Sequence, residues 1–172
     1  MALFVHLAPA KAVARIRRAG IKRGRWGVFC MPVLADYYTT HQWARELKRR
    51  GHRRMLAISF WLDDADLVEV GRFSTPHQTM RASEAVKALM EAEDRQGYEV
   101  IVPHAISPRD LRAVRPVPHV IGWRFYPEAH GRPTFCLCNW CSRGEIKRRR
   151  NRRYQERRQR RQQRRLGVAG GS

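Results

Sequence analysis

The chain has 172 residues, with 35 Lys and Arg against 15 Asp and Glu, and a formal net charge of +20. That length suits one domain built on a single core and argues against a second full domain; the charge favours polyanionic partners, nucleic acid first. No run approaches the roughly 18 to 20 consecutive apolar residues that cross a bilayer, and the most basic segment lacks the apolar face of a membrane-surface helix.

Taken in chain order, "ALFVHL" reads as a strand, and "AKAVARIRRAG" reads as a helix with Ala12, Val13, Ile16 and Ala19 on one face, stopped by Gly20. Lys11, Arg15, Arg17 and Arg18 follow the short apolar run, an order unlike a secretory signal, so the expectation is a soluble cytoplasmic protein without a membrane partner. The basic loop "KRGR" leads into a second strand, "WGVFCM". Pro32 suits a first helical turn, and "LADYYTTHQWARELKRRG" is predicted to continue as one helix to Gly51, burying Leu34, Tyr37, Tyr38, Trp43 and Leu47.

"RRMLAISFWL" is largely apolar on both faces, which predicts a central strand, and "ADLVEVGRF" follows as another after the turn at Asp63 and Asp64. "MRASEAVKALMEAED" is predicted helical with Ala85, Val86, Leu89 and Met90 inward. "YEVIVPH" is a strand, "SPRDLRAV" a short helix capped by Ser107 with Pro108 in its first turn, and "PHVIGWRFY" a last strand. Five or six strands and four helices in mixed order predict an α+β fold with a mixed or antiparallel sheet over residues 1–128. A glycine-rich phosphate loop and the G-x-G-x-x-G fingerprint are both missing, which excludes the common nucleotide-binding architectures.

Residues 129–142 hold a different chemistry. In "HGRPTFCLCNWC", Cys138 and Cys141 have the spacing of a zinc knuckle, Cys136 adds a third thiol, and His130 would complete a tetrahedral structural site, with Cys30 or His119 as substitutes. A chain without export signals favours zinc over disulfides for such a cluster; free thiols on a loop, covered by Phe135 and Trp140, are the plainer reading.

Residues 143–166 carry 13 Lys and Arg against Glu145 and Glu156, more than half of the net charge. Ser142 and Glu145 form a capping box, and the segment from Glu145 to Leu166 has no Gly or Pro, so a basic helix that orders against phosphates is expected. Arg148, Arg149, Arg150, Arg152, Arg153, Arg157, Arg158, Arg160 and Arg161 are the nucleic-acid-binding candidates. Guanidinium groups of this kind position a phosphate backbone without reading bases; a solvated charged run is the plainer reading. Residues 167–172 read as a disordered end.

One carboxylate, Glu99, stands at the mouth of an apolar strand, and a strand histidine, His6, opens the chain. Each alone is more often a satisfied structural residue. With an aromatic residue between them, their order resembles the His-aromatic-Glu type of the ADP-ribosyltransferase superfamily, the diphtheria-toxin-like type. "VHLAPAKAVARIRRAGI" is similar to that family's opening, and "DRQGYEVIVPHAISPRDL" is similar to the Glu-bearing closing segment of the DarT-type DNA ADP-ribosyltransferase toxins. The resemblance covers roughly residues 3–113. It departs from the pattern at Gly97, where a Gln or Glu partner stands in some relatives, and at Ser74 and Thr75, which do not make the Ser-Thr-Ser motif of another subclass.

The resemblance implies a split-sheet transferase domain that uses NAD as substrate, with Glu99 stabilising an oxocarbenium-like centre and His6 orienting a ribose. One of Phe29, Tyr37 or Tyr38 would stack on nicotinamide. It implies a nucleic acid, DNA or RNA, as acceptor, a toxin or phage-defence role, and an antitoxin or immunity partner. His77 and Arg54 are further candidates without a place in this pattern. Two other readings stand beside it: a non-catalytic nucleic-acid- or ribosome-binding protein, which predicts His6 and Glu99 far apart, and an enzyme like the RNA 2′-phosphotransferases.

Overall fold

A computed structural model of the chain describes residues 1–49, 54–118, 122–123, 156, 157 and 159. The chain divides into two compact units, one of residues 1–48 and 52–125, the other of residues 49–51 and 126–172. The first holds the sheet.

Its longest ladder joins β1 (Ala2–Pro9) to β3 (Met55–Leu62), antiparallel from Ala2 opposite Leu62 to Pro9 opposite Met55. With β2 (Val28–Pro32), β4 (Leu67–Arg72), β5 (Gln78–Arg81), β6 (Tyr98–Val102) and β7 (Leu111–Pro116) it builds one seven-stranded sheet in the order β5-β4-β6-β2-β1-β3-β7. Every pairing is antiparallel, so the fold is α+β with an open antiparallel sheet. The alternation of the chain selects the buried face: Phe4, Ile58 and Phe60 on one half, and Val68, Val100 and Val102 on the other, are fully buried.

The two halves of the sheet meet at a narrow joint. β1 and β2 pair only at Phe4–Pro32 and Val5–Met31, extended at one end by the Val33 amide donating to the Leu3 carbonyl. Pro32 therefore closes a strand rather than opening a helix; a strand's last residue tolerates the missing N–H.

Two helices cover the sheet much as the sequence predicts. α1 (Val13–Ala19) buries Val13 and Ile16 and ends at Gly20, although Ala19 is exposed. Gly20 takes φ +74°, and a Cβ there would lie 2.1 Å from the Ile106 carbonyl, so only glycine lets the chain turn against that segment. α4 (Ala82–Glu91) buries Ala82, Ala85 and Leu89, but Met90, expected inward, points to solvent.

The single long helix expected up to Gly51 is two short ones, α2 (Tyr37–Thr40) and α3 (Ala44–Arg49). Asp36 caps α2, its carboxylate accepting from the Tyr38 amide and the Thr39 hydroxyl; the Thr39 bond holds its pKa below the usual carboxylate range. Thr40 Oγ1 donates to the Asp36 carbonyl, and the His41 amide bonds back to Tyr37 and Tyr38, so side chains and turn compete with helix propagation. The face is consequently reversed: Thr39, Thr40, His41 and Gln42 are buried, whereas Tyr37 and Tyr38 are exposed.

The expected helix "SPRDLRAV" is one 3₁₀ turn, Pro108–Asp110, capped by Ser107, after which Leu111–Pro116 is strand β7. The strand expected over "PHVIGWRFY" falls largely outside the described residues, and Gly122 and Trp123 within it are not strand. Among the described residues, no helix is long and apolar enough to cross a membrane.

Candidate active site

At the joint between β1 and β2, His6 of one strand meets the backbone of Phe29 on the other. Beyond Val5–Met31 the ladder stops, and the His6 imidazole occupies the gap, its Nδ1 2.8 Å from the Phe29 carbonyl oxygen. A carbonyl only accepts, so Nδ1 carries the proton and the other ring nitrogen, Nε2, is an acceptor in the neutral ring. Burial lowers the His6 pKa, partly offset by the bond to Phe29, which keeps that neutral form dominant at pH 7.

On the far side of β2 lies β6, with Phe29 opposite Ile101 and Cys30 opposite Val100. Paired residues share a face, as do residues two apart on a strand, so Phe29 and Glu99 project from the same side of the sheet. Such a diagonal pair stands about 7–8 Å apart, within reach of an aromatic side chain. Phe29 is 43% exposed and Glu99 is partly buried. His6 belongs by register to the opposite face, that of Phe4, and its ring is tied to the Phe29 backbone carbonyl.

Glu99 has a companion that the sequence pattern did not supply. His77 Nε2 lies 3.3 Å from Glu99 Oε1, at charge-pair distance, and that nitrogen is buried without a hydrogen-bond partner of its own. The contact is made across a missing side chain. Gly71 is paired with Glu99 on β4, and a Cβ on Gly71 would meet the His77 ring at 3.0 Å. The hairpin that returns His77 to this spot turns at Ser74, φ +64°, and is tied by Thr75 Oγ1 to the Arg72 carbonyl at 2.7 Å. Its second strand, β5, is four mostly exposed residues without apolar alternation, which is why periodicity did not reveal it. Arg54, the other unplaced candidate, is exposed.

The approach to Glu99 is fixed by a buried amide. Gln42 is fully buried; its Nε2 donates to the Arg95 carbonyl at 3.0 Å and its Oε1 accepts from the Gly97 amide at 2.7 Å. Next to it, the Trp43 indole donates to the Tyr98 carbonyl at 2.7 Å, and the Phe73 amide donates to the Gly97 carbonyl at 2.8 Å. Trp43, Phe73 and Trp123 pack around this segment at ring angles of 57° to 71°, with centroids 4.9 to 6.5 Å apart. Residues 95–98 are thereby held on both sides immediately before Glu99.

The three candidate aromatic residues are no longer equivalent. The Tyr37 ring is already stacked on His41, centroids 4.0 Å apart, and His41 Nδ1 donates to the Tyr37 carbonyl at 3.0 Å. Tyr38 is exposed on the same short helix, whereas Phe29 is on the strand adjoining Glu99.

Cys30 is a free thiol buried at the centre of β2, and burial raises its pKa far above the ordinary thiol range. It packs within the apolar core of the sheet. His130, Cys136, Cys138, Cys141 and His119 lie outside the described residues, as do Arg148, Arg149, Arg150, Arg152, Arg153, Arg158, Arg160 and Arg161. Arg157 is described, helical and exposed. Among the described residues no group of three or more His, Cys, Asp or Glu could hold a metal ion. Comparison with protein-family models, with curated proteins and with solved structures finds no match to this chain.

Proposed function

We propose that the chain is an NAD-dependent ADP-ribosyltransferase of the split-sheet type that modifies a nucleic acid. The observation that carries this reading is a juxtaposition: His6, Phe29 and Glu99 occupy three neighbouring strands, β1, β2 and β6, at the point where the sheet parts. Two strand spacings, about 10 Å, separate the His6 and Glu99 backbones, with Phe29 on the strand between them and its carbonyl bonded to the His6 ring.

The chemistry follows from the groups. The bond between the nicotinamide nitrogen and ribose C1′ breaks, its electron pair leaving with nicotinamide, and a lone pair of the acceptor forms the new bond to C1′. The Glu99 carboxylate stabilises the positive charge that develops at C1′ and accepts a hydrogen bond from a ribose hydroxyl. The acceptor's proton passes to a base or to water; Glu99, with His77 beside it at 3.3 Å, is the base at hand. Neutral His6 offers Nε2 to a second hydroxyl, and the exposed Phe29 ring offers a face for nicotinamide. The basic segment 143–166 supplies affinity for the acceptor's phosphates.

Calorimetric titration with NAD tests the binding half of this account. The parent protein is expected to bind, and His6→Ala and Phe29→Ala each to weaken binding by about 5- to 10-fold, the size of one hydrogen bond or one ring contact. Absence of any NAD binding by the folded parent would overturn the reading.

A further inference from the structure

The nucleic-acid candidates named so far all lie in residues 143–166, yet the folded unit carries its own basic and aromatic surface. Residues 1–35 contain no Asp or Glu, and Lys11, Arg15, Arg17, Arg18, Lys22, Arg23 and Arg25 are all exposed. Among the described residues, no ion pair engages any of these seven. The 3₁₀ turn packed beside Gly20 brings Asp110, but with Arg109 and Arg112 on either side of it.

The loop that follows α1 is built to display a ring. The amides and carbonyls of Gly24 and Gly27 bond reciprocally, at 3.0 and 3.3 Å, which lifts Arg25 and Trp26 onto a closed tip. Gly27 takes φ +124°, and a Cβ there would lie 2.5 Å from the Val102 carbonyl, so the base of the tip is seated against the end of β6. Trp26 is 66% exposed, the largest exposed ring on the described surface, and the Arg25 guanidinium covers it at 5.1 Å from the centroid. An indole left in water on a rigid tip, among unneutralised cations, loses apolar burial and gains nothing for the fold.

We infer that the Lys22–Trp26 tip, together with the outer face of α1, is a docking site for unpaired nucleotides, with Trp26 stacking on a base while Lys22, Arg23 and Arg25 hold phosphates. Stacking on an exposed ring requires a base whose face is free, which single strands and flipped nucleotides offer and an intact duplex does not. A short loop with one indole among Lys22, Arg23 and Arg25 is not the amphipathic helix that lies in a bilayer surface, which favours nucleic acid over an anionic bilayer. The site deepens the nucleic-acid half of the proposed function, and its test contains no NAD, so either can fail alone.

The test is fluorescence anisotropy of the full chain with labelled single-stranded DNA, single-stranded RNA and duplex, at a salt concentration that screens phosphate contacts. Vesicles containing phosphatidylserine form a separate arm. Trp26→Ala is expected to weaken single-strand binding about 10-fold and leave duplex binding unchanged, while Trp26→Phe keeps single-strand affinity within about 3-fold. Joint replacement of Lys22, Arg23 and Arg25 by Gln should lower the log-log salt slope by about 2. Trp26 is exposed, so its variants are expected to melt with the parent. Unchanged single-strand affinity in Trp26→Ala, an equal loss on duplex, or Trp26-dependent binding to vesicles alone would each overturn the proposal.

Discussion

Glu99→Gln is expected to lower the rate of NAD cleavage by about 100- to 1000-fold while changing NAD affinity only a few-fold. The carboxamide keeps the size of the side chain and can still accept a hydrogen bond from a ribose hydroxyl, so ground-state contacts largely survive. What it lacks is the negative charge. Removing one preorganised electrostatic group aimed at a developing charge costs about 2.7–4 kcal/mol, felt only in the transition state. The signature is a fall in kcat with KM nearly constant, read from steady-state kinetics. A fall in affinity with kcat preserved would mean that Glu99 only holds the substrate. His77, at 3.3 Å, complicates the fold rather than the chemistry: the Gln side chain can still meet its ring nitrogen.

Gln42→Ala is expected to destabilise the folded unit by about 2–4 kcal/mol, a drop in Tm of roughly 5–12 °C by circular dichroism. The side chain is fully buried and satisfies two backbone groups at once, the Arg95 carbonyl and the Gly97 amide. Truncation leaves both unpaired away from water and adds a cavity where the amide stood. Gln42→Glu is instructive beside it: the carboxylate can still accept from Gly97 but cannot donate to Arg95, and it buries a charge, so it should be no more stable than the Ala variant. Because residues 95–98 run straight into Glu99, the surviving folded fraction should also turn over more slowly. A Tm within a degree of the parent would show that the clip contributes nothing.

Much of the architecture was legible because apolar periodicity and stop signals coincide. β1, β3 and β6 are apolar runs, β4 alternates, and α1 ends where Gly20 stands. The failures have physical causes. Tyr37 and Tyr38 look like core residues on a helical wheel, but the helix breaks at residues 39–42, where Thr hydroxyls and the His41 amide turn back on the backbone. β7 was hidden behind the helix-start signal of Ser107 and Pro108, which in fact caps a single 3₁₀ turn. In the site, His6 and Glu99 were visible as polar residues on apolar strands. His77 was visible as a candidate but had no place, since nothing local announces a hairpin that closes over a glycine on the neighbouring strand. Gln42 reads as an ordinary helix residue until the fold brings residues 95–97 against it.

The activity proposed for this chain is cleavage of the nicotinamide–ribose bond of NAD with transfer of the ADP-ribosyl group to a nucleic acid. Its most direct measurement follows both products together: free nicotinamide by chromatography, and label from adenine-labelled NAD on separate DNA, RNA and protein pools. Nicotinamide release matched by label on a nucleic-acid pool, both lost in Glu99→Gln, is the expected result. No release above the blank, or release and labelling that persist undiminished in Glu99→Gln, would contradict it.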